Sequence, residues 1–299
     1  MATDTPLSTT GVLGMWDGTK GGEEDGYIDY ASGVSSLNNP KEYEIKVYDI
    51  RKLDSQPTLK GNGYQLVDIP TAVTEDQFLA SNRTDEGKAY IEDVYFQECK
   101  RIIEQVAGSA SLILPTSFRV REQKGNKKST EDKLGSLEAR FAPRPIAHLD
   151  RDPPTAQEVL EETVGKEKAQ ELLSKHHRWA QVNVWRPIGN PAIMWPLCFM
   201  NHDRIPEWNY DTYTGRVYSR NHPRGVGGRG GKSYDCVVKH DERYDYYYVS
   251  SLRPEECLVF CSFDSDPKYV IPHSAFWDKS IPEDAPDRRS IEVRSLVFF

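Results

Sequence analysis

The segment Pro145-Ile-Ala-His148-Leu-Asp150 sets an imidazole and a carboxylate two residues apart in apolar surroundings. In extended backbone a period of two turns both side chains to one face, where a divalent ion can bridge them. Two histidines and one carboxylate on one side of an ion leave positions open, the arrangement that suits non-haem Fe(II). An isolated H-x-D pair arises often by chance and is frequently just a hydrogen-bonded couple, so a distant second histidine is required. His273 has the right surroundings: Tyr269-Val-Ile-Pro-His273-Ser-Ala-Phe276 reads as a strand end, and Arg288-Arg289-Ser290 opens another strand 15 residues later. An oxoacid that chelates iron through its keto and carboxylate oxygens holds its far carboxylate several ångströms off, where a bidentate guanidinium is the best receptor. Arg288 with the Ser290 hydroxyl suits that task.

The other histidines fit worse. His176 and His177 close a predicted helix, where imidazole meets the negative end of the dipole. His202, His222 and His240 stand in polar loop text, with His240 the reserve ligand.

The elements that must position these groups are legible in outline. Residues 1 to about 40, rich in Gly, Thr, Ser and Asp, read as an irregular arm. From residue 41 to 299 a single jelly-roll domain with helical insertions is expected. Tyr43 to Ile50 and Tyr64 to Ile69 alternate as strands, and apolar spacing predicts a helix from Glu86 to Val106 ending before Gly108. Ser111 to Pro115 and Phe118 to Arg121 look extended, and the mixed charges from Glu122 to Lys133 read as a solvated loop. Thr155 with Glu158 has capping-box spacing, predicting a second helix from Thr155 to about Lys175. Strands are then expected at Trp179 to Trp185, Tyr244 to Ser250, Cys257 to Phe263, Tyr269 to Ile271 and Ile291 to Phe299. Strands gathered in one half do not make a βαβ repeat, so the expected fold is mostly β with flanking helices on a double-stranded β-helix, cupin-like core.

Alternation from Gln181 to Arg186 puts Gln181, Asn183 and Trp185 on one face, a candidate ligand-facing row. Arg186 and Arg294 could recognise a substrate carboxylate, or serve as ordinary ion-pair residues.

The ordered set His148-Leu-Asp150, Arg178-Trp179-Ala-Gln-Val-Asn183-Val-Trp185-Arg186-Pro187, Phe263-Asp264-Ser265-Asp266, Pro272-His273-Ser-Ala-Phe276 and Arg288-Arg-Ser290-Ile-Glu292-Val-Arg294 resembles the hydroxylase/desaturase (AsaB-like) family. These are fungal and bacterial 2-oxoglutarate oxygenases typified by gibberellin desaturase and the cephamycin-pathway methoxylase, and the likeness covers about residues 45 to 299. The resemblance implies Fe(II) on His148, Asp150 and His273, 2-oxoglutarate on Arg288, and O2 as co-substrate; Ser290 and Asn183 are the further candidates that the residues themselves offer for the 2-oxoglutarate site. It further implies a small secondary-metabolite precursor as substrate, with hydroxylation or desaturation as outcome; an amino acid is the other substrate class considered, and Gln181, Trp185, Arg186 and Arg294 are the substrate-binding candidates that the residues themselves offer. A similar fungal subset, the TqaL type, closes an aziridine ring on valine. The chain departs from the family at Arg289, where an acidic residue is usual, and in the Gly225 to Gly231 stretch, which reads as a flexible lid or linker.

Composition narrows the partners. Lys and Arg number 38 against 46 Asp and Glu, a formal charge of −8 with the signs mixed, which attracts neither nucleic acid nor anionic membrane. No apolar run reaches membrane-spanning length and the N-terminus lacks signal-peptide blocks, so a soluble cytoplasmic protein is expected. Five cysteines without a C-x-x-C pair argue against disulfides and a thiolate zinc site. The competing readings are a zinc-type hydrolase or isomerase on a cupin fold, and a non-catalytic jelly-roll binding module.

Overall fold

The computed structural model describes residues 7–29, 31–123, 143, 145–220 and 234–299. Among them are fifteen strands: β1 (Ser8–Met15), β2 (Gly26–Asp29), β3 (Lys41–Asp49), β4 (Tyr64–Asp68), β5 (Leu112–Gln123), β6 (His148–Leu149), β7 (Trp179–Pro187), β8 (Leu197–Asn201), β9 (Thr214–Arg220), β10 (Tyr234–Val238), β11 (Asp245–Tyr248), β12 (Glu256–Asp264), β13 (His273–Ala275), β14 (Trp277–Asp278) and β15 (Arg288–Phe298). A ten-stranded sheet runs β14-β1-β3-β11-β8-β13-β6-β10-β9-β2, and a five-stranded, wholly antiparallel sheet runs β4-β12-β7-β15-β5. Their inner faces meet as a jelly roll, as the Phe199–Phe260 and Phe260–His273 ring contacts across the two sheets show.

The helices include α1 (Leu59–Asn62), α2 (Glu75–Ala80), α3 (Asp85–Tyr90), α4 (Phe96–Ala107), α5 (Pro153–Val164) and α6 (Lys166–Lys175). A single π turn, Ile91–Tyr95, joins α3 to α4, so the helix expected from Glu86 to Val106 is present with one wide turn inside it. Gly108 ends it at φ 65°, a left-handed cap that glycine adopts without penalty. Ile103, Val106 and Tyr95 from this helix pack on Val182, Val184, Val259 and Val293, covering the outer face of the small sheet.

Several expectations are corrected. The stretch read as an irregular arm contributes β1, paired along its whole length with β3, and β2, paired in parallel with β9. Glycine at positions 11 and 14 hid that strand, yet Cβ atoms there would collide with Phe276 and Pro40, so the sequence is matched to tight neighbours. Thr155 is not a helix N-cap. Asp152 caps α5, with Pro153 and Pro154 filling first-turn positions whose N–H groups need no partner, and Thr155 answers it in a reciprocal capping box. Gly165, at φ 84° and ψ 154°, then divides the expected helix into α5 and α6. Tyr269 to Ile271 is not a strand, since Pro267–Tyr269 is a 3-10 turn and pairing resumes at β13. Glu122 and Gln123 lie within β5; the rest of the expected charged loop, like His222 and the Gly225 to Gly231 stretch, lies outside the described residues.

Candidate metal centre

β6 and β13 are short, and their one shared register pair is His148 opposite His273. Directly opposed residues of an antiparallel pair present their side chains on the same face. The two imidazoles therefore meet, with ring centroids 4.5 Å apart, and Asp150 joins them from the bend after β6. One ligand atom from each of His148, Asp150 and His273 lies within 4.8 Å of the others, and all three residues are buried. His148 Nδ1 donates to the Ile146 carbonyl at 2.7 Å and His273 Nδ1 to the Ile271 carbonyl at 3.2 Å. Tethering Nδ1 to a carbonyl fixes the tautomer and leaves Nε2 as the basic nitrogen.

Asp150 is held from the opposite sheet. Its Oδ2 accepts from Asn183 Nδ2 at 2.8 Å, Gln181 Nε2 at 3.3 Å and Arg294 Nε at 3.0 Å, and its Oδ1 accepts from Arg294 Nη2 at 3.2 Å. Ser262 closes the network, accepting from Gln181 Nε2 and donating to Asn183 Oδ1. Burial on its own would raise the Asp150 carboxyl; Arg294 above all, with His273 and His148, outweighs burial and holds it well below the usual carboxylate range.

Arg288 faces the same interior. Its side chain is buried, its guanidinium lies 5.2 Å from the centre of the Trp185 ring, and its Nε and Nη1 have no hydrogen-bond partner in the protein. Burial pushes it down to about 10, with Glu292 pulling the other way, so it remains charged at neutral pH. Ser290 is buried one pleat further along β15. A buried cation with unmet donors costs several kcal/mol unless a ligand answers it. The donor set and this unanswered guanidinium fit Fe(II) together with a chelating dicarboxylate such as 2-oxoglutarate.

Other expected site residues land elsewhere. Asn183 and Gln181 lie on the inner face, where their amides are engaged in orienting Asp150. Trp185 supplies the platform beneath Arg288. Arg186, a residue out of phase with that row, points to the helix side, donating to the Tyr95 hydroxyl and to the carbonyls of Pro254 and Ile69. It ties the layers together, because strand alternation turns it away from the interior. Arg294 reaches the site as a partner of Asp150 and Glu292. Arg289 pairs with Glu75 on the outside. His176 bonds Ser111, His202 bonds the Val270 carbonyl, and His240 stacks on Tyr43, so none of the three joins the cluster. Ser262 went unrecognised in the sequence; it sits at the irregularity in the β12–β7 register between Cys261 and Phe263, which no local sequence signal marks. A surface hollow of about 350 Å³ lined by Tyr64, Asn201, Asp203 and Tyr247 includes none of the triad.

Fold and site define a jelly-roll oxidoreductase with a non-haem metal centre. The chain belongs to the hydroxylase/desaturase family of Fe(II)/2-oxoglutarate oxygenases, and the profile of a family described as "Oxidoreductase/YMDC permease-like domain" matches residues 23–298. It is 72% identical to Oxidoreductase R1 of Phoma sp., over 100% of both chains. It is 27% identical to Hydroxylase/desaturase efuI of Hormonema carpetanum, over 85% of this chain and 83% of that protein. In fold it is similar to the solved structure of the iron and alpha-ketoglutarate-dependent endoperoxidase NvfI W199F variant, with a TM-score of 0.78, 23% identity and 99% of each chain covered. The protein is an Fe(II)/2-oxoglutarate-dependent dioxygenase with O2 as co-substrate, acting on a small molecule. Among the described residues no helix is long and apolar enough to cross a membrane.

Proposed function

We propose that His148 and His273, through Nε2, and Asp150 hold Fe(II), that Arg288 with Ser290 receives the far carboxylate of 2-oxoglutarate, and that the enzyme works as one catalytic domain in the cytoplasm. The observation that carries the reading is the buried Arg288, with Nε and Nη1 unanswered, on the strand facing a two-histidine, one-carboxylate cluster. Five buried free thiols fit a reducing compartment. When bound, the iron with 2-oxoglutarate and O2 supplies an oxidant strong enough to take hydrogen from an unactivated carbon, releasing succinate and carbon dioxide.

The chain's own residues orient and insulate. The backbone carbonyls of Ile146 and Ile271 fix the ring planes, while Gln181, Asn183 and Arg294 fix the carboxylate plane. The position at which a secondary-metabolite precursor or amino acid is held selects hydroxylation, desaturation or ring closure, aziridine formation included. No protein nucleophile or general acid is required.

The test is oxygen uptake and succinate formation by anaerobically Fe(II)-loaded protein with 2-oxoglutarate and a panel of small metabolites, against His148→Ala. Substrate-stimulated succinate, lost in the variant, is the expected result. Stoichiometric iron binding without any succinate would overturn the reading in favour of a hydrolytic or binding role.

A further inference from the structure

His148 stands opposite Val237 in the β6–β10 register, and Val237 stands opposite Gly215 in the β10–β9 register. Opposed residues share a face, so Val237 and Gly215 continue the face that carries the His148 imidazole. The neighbouring residues fix the phase. Ala147, Leu149, Cys236 and Val238 enter the core that holds Ala156 and Leu160 of α5, and Arg216 pairs with Asp152 at the start of that helix, all on the opposite face. Beyond His148 the inner face is lined with hydrocarbon: Val237, Val217 and Ile28 are buried there, with half-buried Trp16, Leu37 and Ile146 packed on them. Two glycines make room for this layer, since a Cβ on Gly215 would collide with the Trp16 indole and one on Gly26 with the Leu37 side chain. The indole therefore rests directly on the β9 backbone.

The roll thus has two unlike walls. β7 and β15 carry Gln181, Asn183 and Arg294, which hold Asp150, and Arg288, which awaits the co-substrate. β6, β10, β9 and β2 offer hydrocarbon, together with the N-terminal segment that brings Trp16 and Leu37. We infer that this apolar wall binds the body of the substrate, with the Trp16 indole as its platform, and that the substrate is a largely uncharged molecule with an extended hydrocarbon portion rather than a free amino acid. The inference rests on the iron and 2-oxoglutarate reading above and deepens it to a substrate class. Three observations choose the occupant. The wall begins at the residue paired with a metal ligand, so a molecule lying along it has one end beside the metal centre. From β6 across β10 and β9 to β2 it is three strand spacings wide, about 14 Å, which a valine side chain would leave mostly bare. Trp16, Leu37 and Ile146 keep part of their surface exposed instead of closing into a finished core, as the apolar side chains that line a ligand pocket do.

The experiment is anaerobic titration calorimetry on Mn(II)-loaded protein at saturating 2-oxoglutarate, and in parallel on metal-free protein, with 1-butanol, 1-hexanol, 1-octanol and L-valine as probes. Mn(II) and 2-oxoglutarate are titrated first; if neither binds, the cofactor reading fails by itself, and the metal-free series still decides the wall. Each added pair of methylenes is expected to tighten binding about tenfold, with L-valine not bound. The proton resonances of bound 1-octanol should be broadened by Mn(II) and not by diamagnetic Zn(II), which places the chain beside the metal centre. Trp16→Ala is expected to weaken 1-octanol at least about tenfold and to flatten the dependence on chain length, whereas Trp16→Phe retains most of both, and 2-oxoglutarate affinity stays within about threefold in the two variants. A purely structural role for Trp16 would lower stability and leave the chain-length dependence intact. If Trp16→Ala does not fold, Leu37→Ala, at a half-buried position further along the wall, carries the same comparison. Affinity that does not grow with chain length, growth that survives both alanine changes, L-valine binding as tightly as 1-octanol, or 1-octanol bound to the Mn(II) form without broadening would each overturn the proposal.

Discussion

Asp150 is gripped by more donors than a lone ligand carboxylate needs, and that grip has a measurable value. Arg294→Gln removes two of its hydrogen bonds and the nearest positive charge. Loss of such an outer partner is expected to weaken Mn(II) affinity roughly 10- to 100-fold, read by calorimetry, with the fold unchanged by circular dichroism. Arg288 behaves differently because it touches no triad member. Arg288→Gln is expected to raise KM for 2-oxoglutarate more than about tenfold while Mn(II) affinity stays within about threefold. Equal losses in both parameters would show that Arg288 supports the metal and not the co-substrate. At this scale the sequence was informative where chemistry is local. His148 and Asp150 are two residues apart, and Arg288 and Ser290 likewise, so their types and spacing are visible together. Arg186 misled because its type invites a ligand while only its phase on β7 reveals that it faces the helices. Ser262 was hidden because a serine in a strand carries no signal until its neighbours across the sheet are known.

Among the elements, strongly alternating strands were legible: β3, β4, β7, β12 and β15 all fall where their patterns put them. β8 and β14 were not, because Leu197 to Met200 is continuously apolar and a run of two residues has no period to read. Two element-scale predictions follow from local geometry. Gly63 closes α1 at φ 77°, and a Cβ there would sit 2.1 Å from the Tyr269 carbonyl oxygen. Gly63→Ala is expected to cost at least about 2 kcal/mol in urea unfolding, since both the backbone and the neighbouring 3-10 turn must shift. Glu256 opens β12 and accepts from Arg51 Nη1 at 2.8 Å and from the Arg253 backbone at 2.9 Å. Burial pulls its pKa upward, but these donors win and bring it down to about 2. A carboxylate with a depressed folded-state pKa stabilises the fold fully above its unfolded value of 4.5 and loses that contribution as pH falls toward 2. Glu256→Gln should therefore be less stable than the parent at pH 7 by roughly 2 kcal/mol, with the gap closing as unfolding is measured at successively lower pH. A gap independent of pH would assign the effect to packing.

For the whole molecule, the triad draws on β6 and β13 of one sheet and is oriented by β7, β12 and β15 of the other. Ligand binding should thus brace the two sheets against each other. Mn(II) and 2-oxoglutarate, each at about 100 times its dissociation constant, each contribute on the order of 3 kcal/mol of linkage, which for a chain of this size raises Tm by several degrees. Differential scanning fluorimetry should show that rise, and it should vanish in His148→Ala. The order of β15 in its sheet has a further consequence, in time instead of space. Arg288 pairs with Gln123 and Phe298 with Leu112, contacts spanning 165 and 186 residues, and the strand must slide between β5 and β7 after both exist. Ring closures that long are slow to form, so refolding should lag well behind the collapse of the helices. Until β15 arrives, Asp150 lacks Arg294, and Gln181 and Asn183 stand on an open strand edge. A half-made chain would then hold iron poorly, and the enzyme's capture of its metal becomes a late event that reports a finished fold.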